Sequence, residues 1–225
     1  MSAERLDPLA AAYISDVFGR APADLASITP RAIAAGIPDI SITPEVGRLL
    51  QILASLSGGR RLLEIGALAG HSACWLAHGL TPGGILHTIE LDAKHAAFAR
   101  DTFARVGLAE RIKLHEGHAR DIIPHLMDRH GRNTFDMLFI DAEKTEYAEY
   151  WRLARPLLRV GGILAVDNAL SSGWQITDAP GTSIHRDAVD AFNRAIAADP
   201  SLVSTIIPLR AGVLVAQIAS EQPQL

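Results

Sequence analysis

Short apolar runs alternate with amphipathic stretches along most of the chain. Residues 61–65 (RLLEI) are mostly apolar and end at glycines, as a strand covered on both faces would. A helical pattern follows over 72–80. The pair of signals then repeats: strands over 84–90, 111–116 and 134–141, each followed by a helix, over 93–106, 120–129 and 146–158. A fifth strand is predicted over 162–167. Strands alternating with helices of this length imply βαβ units and a parallel sheet. The end of the chain breaks the rhythm. After a helix over 188–198, strands at 202–208 and 213–219 are separated only by residues 209–212, which suits an antiparallel hairpin. The predicted fold class is therefore α/β, a mostly parallel sheet with an antiparallel edge and helices on both faces.

Residues 1–46 precede this core and read as helices broken at Pro22, Pro30, Pro38 and Pro44. They are expected to form an arm or lid on a single domain spanning 1–225, with the core at 47–219. Residues 171–187 (SSGWQITDAPGTSIHRD) form the most loop-like interior segment. A long loop after a parallel strand is often functional, although a surface connection would look the same.

Composition narrows the picture. The chain has 225 residues, 48% of them hydrophobic and 20% charged, which is ordinary for a globular domain and unlike a disordered chain. A single cysteine, Cys74, excludes a disulfide framework and a cysteine-based zinc site. The net charge of −4 argues against a protein built to coat nucleic acid. Residues 1–19 lack the basic and apolar regions of a signal peptide, and no apolar run reaches the ~18–20 residues of a membrane span. A cytoplasmic location is expected.

The candidate chemistry clusters at the predicted strand ends. Glu64-Ile65-Gly66-Ala67-Leu68-Ala69-Gly70 ends the first strand, where ligands of open α/β sheets bind. Gly66 and Gly70 would let a ligand approach the backbone, and Ser72 lies at the start of the next helix. Glu90 ends the second strand and could accept hydrogen bonds from two ribose hydroxyls. Leu68 occupies the second glycine of a dinucleotide fingerprint, and there is no GK[ST] phosphate loop. Glu64 would repel a pyrophosphate but suits a ligand with a positive end, as in S-adenosylmethionine. Tight strand–helix packing beside a coincidental acid is the alternative.

A second acidic set comprises Asp141, ending the fourth strand, and Asp167 and Asn168, ending the fifth. Two carboxylates and an amide oxygen are hard ligands, suited to Mg²⁺ first, or to Mn²⁺ or Ca²⁺. Lys144 follows one turn after Asp141, and a lysine beside a cation gives up its proton more readily. Helix capping by the same acids is the competing explanation.

The chain resembles the cation-dependent S-adenosylmethionine O-methyltransferases of the catechol and caffeoyl-CoA type, in particular the small bacterial ones. The resemblance runs over about residues 36–219. It is carried by Ile42-Thr43-Pro44-Glu45-Val46-Gly47, the Glu64–Gly70 turn with His71 and Ser72, Ile89-Glu90-Leu91-Asp92, residues 135–144 (FDMLFIDAEK) and residues 161–168 (GGILAVDN). It implies a Rossmann-like class I methyltransferase fold with seven strands. Glu64, Gly66, Ala67, Ser72 and Glu90 fall on cofactor positions, with Ile42 and Ala119 touching the cofactor through backbone. Gly70 and Asp141 border the same site, and His118 falls near the adenine pocket. Asp141, Asp167 and Asn168 fall on metal ligands, and Lys144 on the base.

The implied reaction is methylation of a small molecule with adjacent hydroxyls, catalysed by Lys144 and Asp141 in a homodimer that binds neither membrane nor nucleic acid. Four positions depart from the family pattern. His71 replaces a common Tyr, Glu143 a common Asp, and Val46 a common Glu, while His118 stands where a small residue or Pro is frequent. The alternatives are a methyltransferase acting on a tRNA hydroxyuridine, a non-catalytic cofactor-binding relative, and an NAD enzyme, which Leu68 already disfavours. As metal ligands the histidines are discounted, and packing or surface roles are expected for His115, His118, His125 and His130, and packing for Trp75 and Trp151. Trp174 is a candidate wall of the acceptor pocket, and Arg20, Arg31 and Arg186 are candidates for a basic entrance.

Overall fold

The structure is a computed structural model that describes residues 8–220. The first seven residues of the expected arm, and residues 221–225, lie outside the described residues. Three helices lead in: α1 (Pro8–Phe18), α2 (Ile28–Ala34) and α3 (Pro44–Leu56). The alternating part follows as β1 (Arg61–Ile65), α4 (His71–His78), β2 (Ile85–Glu90), α5 (Ala93–Arg105), β3 (Ile112–Glu116) and α6 (Ala119–His130). Then come β4 (Phe135–Ile140), a 3₁₀ turn (Lys144–Glu146), α7 (Tyr147–Ala154), a second 3₁₀ turn (Arg155–Leu157) and β5 (Leu158–Val166). The chain ends with α8 (Ile184–Ala198), β6 (Leu202–Ile207) and β7 (Val213–Ile218).

The seven strands form one sheet in the order β3-β2-β1-β4-β5-β7-β6. The first five pair in parallel, and β7 pairs antiparallel with both β5 and β6. This is the predicted architecture. β4 lies at its centre, and all six of its residues are buried. Met137 and Phe139 face the layer of α3, α4 and α5, while Leu138 and Ile140 face α6, α7 and α8. Each such side chain contributes roughly 1.5–3 kcal/mol through burial. Phe135 breaks the alternation and joins the second layer because the β4–β5 register shifts between Phe135 and Met137.

Three boundaries differ from the expectation. The helix predicted to reach residue 158 ends at Ala154, since Pro156 lacks the N–H that the next turn needs. β5 therefore starts at Leu158 and runs through Gly161 and Gly162. α8 starts four residues earlier than its apolar pattern, where Ser183 caps it and Arg186 is buried against Asp187 and Asp190. α3 spans positions 46 and 47, and packs on α4. Among the described residues, no helix is long and apolar enough to cross a membrane.

Candidate functional site

Because β2, β1, β4 and β5 are parallel and in register, Glu90, the turn after Ile65, Asp141 and Asp167 emerge on one sheet edge. A cavity of about 380 Å³ opens there. Of the candidates from sequence, Ile42, Gly66, Ala67, Ser72, Glu90, His118, Ala119, Asp141, Lys144 and Asn168 line it. Glu64, Gly70 and Asp167 do not line it and stand behind its wall.

The turn explains why glycine and acid occur together. Gly66 has φ +98°, and a Cβ there would meet the Asp141 carbonyl oxygen at 2.0 Å. Gly70 serves a different purpose, because a Cβ there would meet the Phe103 ring at 2.5 Å. The N–H groups of Ala67 and Leu68 donate to Glu90 Oε2 at 3.1 and 2.7 Å, and Asp92 N–H donates to Oε1 at 2.9 Å. Three backbone donors thus fix the carboxylate in the cavity wall and leave it further acceptor capacity.

Glu64 is fully buried beneath the turn. The Thr88 hydroxyl donates to its Oε2 at 2.5 Å, and Oε1 has no hydrogen-bond partner. Burial raises its pKa to about 7, with Asp141 and Glu90 adding to the rise and Ser72 and Thr88 opposing it. His71 lines the cavity and is also buried. Trp75 Nε1 donates to its Nε2 at 3.2 Å, so that nitrogen carries no proton, and burial lowers the pKa of the ring.

At the other end, Lys144 Nζ lies 3.0 Å from Asp141 Oδ1 and donates to the Ala142 carbonyl at 3.0 Å. The ammonium sits 5.4 Å from the centroid of the Tyr147 ring. Asp167 is buried, and burial together with the charge of Asp141 raises its pKa to about 7. Asn168 follows with φ +58°, in the left-handed region that Asn tolerates better than most residues. A buried Asp167 whose ionisation the Asp141 charge opposes forms a site that a hard cation would relieve. The donor set of Asp141, Asp167 and Asn168 fits such an ion by chemistry, with outside oxygens completing its shell. Among the described residues there is no group of three or more His, Cys, Asp or Glu that could hold a metal, so the fit depends on the Asn168 amide.

Among the lining residues that sequence reasoning missed are His95, Glu146 and Tyr150. The i, i+4 spacing of Glu146 and Tyr150 after Lys144 was the available signal. The Tyr150 hydroxyl and Arg120 Nη2 both donate to Glu146. Trp174 does not wall the cavity; it is buried in the core layer of α6–α8, and Ser172 takes the place on the lining. Arg31 pairs with Asp101, and Arg186 with Asp187 and Asp190, so these two do not form a basic entrance. Cys74 is buried, and burial pushes its thiol pKa up.

Known proteins were compared with this chain. Residues 21–218 match the family model described as O-methyltransferase. A catechol O-methyltransferase of Niastella koreensis is 38% identical over 197 residues, covering 88% of each chain. A putative O-methyltransferase of Mycobacterium bovis is 36% identical over 177 residues, covering 78% of this chain and 77% of its own. Among solved structures, the O-methyltransferase of Bacillus cereus in complex with S-adenosylhomocysteine superposes with TM-score 0.83 at 31% identity, covering 93% of this chain and 97% of its own. TomG of Streptomyces achromogenes, an O-methyltransferase of tomaymycin synthesis in complex with S-adenosylmethionine, gives TM-score 0.83 at 31% identity, covering 98% of this chain and all of its own.

Proposed function

Since the chain belongs to the O-methyltransferase family, we propose that it moves a methyl group from S-adenosylmethionine to one of two adjacent hydroxyls on a small, catechol-like molecule, with the help of a divalent cation. That it is an S-adenosylmethionine-dependent O-methyltransferase follows from the family and its relatives. The acceptor class and the cation are the proposed part. The observation that carries it is the Lys144–Asp141 pair, at 3.0 Å, in the same cavity as a Glu90 held by three backbone N–H groups.

Each residue has a separate task in this mechanism. Glu90 accepts hydrogen bonds from the ribose hydroxyls of the cofactor. Gly66 and Ala67 allow close approach along the turn, and Glu64 beneath it offers a carboxyl whose ionised form the cofactor's cationic end would favour. When bound, S-adenosylmethionine supplies an electrophilic methyl on a sulfonium. Asp141, Asp167 and Asn168 would hold a divalent cation, which would supply Lewis acidity to an acceptor hydroxyl and draw Asp141 away from Lys144. Lys144 Nζ, once it has given up one proton of its ammonium to solvent and stands as the neutral amine, receives the hydroxyl proton. Walls from Ile42, His71 and Ala119 exclude water, which favours a step in which opposite charges cancel. Holding acceptor, base and methyl donor together supplies much of the remaining acceleration. The protein acts as a homodimer in the cytoplasm on this reading. A nucleic-acid acceptor gains no support from a chain of net charge −4 whose Arg31, Arg120 and Arg186 are all paired with acids.

Asp141→Ala tests the reading directly. Methyl transfer is expected to fall at least about 100-fold, the scale seen when one preorganised electrostatic group is removed. S-adenosylhomocysteine affinity, measured by calorimetry, is expected to stay within about tenfold. Full activity in the variant would defeat the proposal.

A further inference from the structure

Glu146 shapes one wall of the cavity in a way that methyl transfer itself does not require. It ends the 3₁₀ turn that begins at Lys144, and both of its carboxylate oxygens are held. Arg120 Nη2 donates to Oε1 and the Tyr150 hydroxyl donates to Oε2, while His118 Nε2 lies 3.4 Å from Oε2. His118 is fixed from its other side, because its Nδ1 accepts from the Arg120 N–H at 3.2 Å and caps α6. The neutral ring therefore carries its proton on Nε2, facing Glu146. Three donors occupy three of the roughly four acceptor positions of a carboxylate. One position, on Oε1, stays available at a side chain that lines the cavity.

The neighbours of Glu146 locate what that position faces. The Gly117 N–H donates to the Glu90 carbonyl at 2.9 Å, so the Gly117–Ala119 wall starts beside the residue that holds the ribose. Asp141 and Lys144 occupy the reacting end. A base attached to a ribose held at Glu90 would lie against Gly117, His118 and Glu146.

We propose that Glu146 is a specificity-determining residue that accepts a hydrogen bond from the exocyclic amine of a 6-aminopurine and rejects a 6-oxopurine. This deepens the assignment of the cavity to S-adenosylmethionine and rests on it. A 6-amino group offers two N–H donors to the carboxylate. A 6-oxo group sets an oxygen against it, so the hydrogen bond is lost and the charge is left facing a lone pair. The donors from Arg120, Tyr150 and His118 keep the carboxylate from turning away.

The experiment is calorimetry of the full chain with S-adenosylhomocysteine and with S-inosylhomocysteine, its 6-oxo analogue. The native chain is expected to prefer the adenosyl compound by about 10–100-fold, the scale of one hydrogen bond to a charged group. Glu146→Gln carries both a donor and an acceptor, and is expected to bring the ratio to within about threefold of unity. If Glu146→Gln does not fold, Glu146→Asp withdraws the carboxylate by one methylene and must lower the ratio. A folded variant that keeps the native ratio overturns the inference and leaves the methyl-donor assignment standing. A native chain that binds neither compound overturns both.

Discussion

Glu64 and Asp167 carry the clearest electrostatic cost in the molecule. Burial lifts both carboxyls to about 7, above their values of 4.5 and 3.8 as free groups. A carboxyl raised in the folded state contributes stability below its unfolded pKa and loses it as pH rises through the folded value. Without added cation, the chain is thus expected to lose stability from about pH 4 to pH 7 through these two groups. Asp167→Asn removes one of them. Its melting temperature is expected to exceed the native one by about 2–8 °C at pH 8, for a gain of roughly 1–2 kcal/mol, and to match it near pH 4. A shift that is the same at both pH values would refute the assignment. Glu64, Glu90 and Asp141 stood out in the sequence because each sits at the end of a predicted strand, where ligands of open α/β sheets bind. Glu146 was not legible, because its meaning depends on Arg120 and His118, which arrive from another element. Gly70 was read as a ligand contact and is a packing glycine, since the ring it accommodates lies 33 positions away at Phe103.

The contact between β2, β3 and α6 is built from histidines. His87 Nδ1 lies 3.0 Å from His115 Nε2, and the His130 ring meets His87 edge-on at 4.9 Å between centroids. Burial comes first in lowering His87 to about 3, and His115, His130, Lys113 and Arg61 add positive neighbours. A histidine lowered in the folded state contributes stability above its unfolded pKa of about 6.5 and loses it as pH falls toward the folded value. His87→Leu is therefore expected to flatten the acid limb. Between pH 7 and pH 4.5, denaturant titration is expected to show the native chain losing about 2 kcal/mol more than the variant. Parallel losses would contradict the account. Periodicity located the alternating strands and helices from β1 onward, because continuous apolar runs and amphipathic repeats differ in length, but not α3, which crosses the expected boundary at residue 46. It misplaced the ends of α7 and α8. At the first, Pro156 cut a favourable helical pattern short. At the second, the early turn of α8 buries Arg186 instead of an apolar residue.

At the scale of the whole molecule, the strand order explains why one cavity gathers residues from so many parts of the chain. Crossovers on both sides of β1 bring the ends of β1, β2 and β4 to one edge, where the topology switches direction. The antiparallel β6–β7 pair extends the far edge beyond β5 and supplies no residue to the cavity lining. The lead-in segment adds Ile40, Ser41 and Ile42 to the lining, and the loop after β5 adds Ser172, so part of the cavity wall comes from the least periodic parts of the sequence. Those parts were the least legible, because their shape follows from packing on the core and not from any local repeat. The central claim is that this edge performs cation-dependent methyl transfer to adjacent hydroxyls. Its most direct test is a methyl-transfer assay with S-adenosylmethionine and a small panel of catechols, run with Mg²⁺ and then with EDTA. The account predicts methylated catechol that forms with Mg²⁺ and falls at least about 100-fold with EDTA. Methylation that EDTA leaves unchanged, or no methylation of any catechol with Mg²⁺ present, would contradict it.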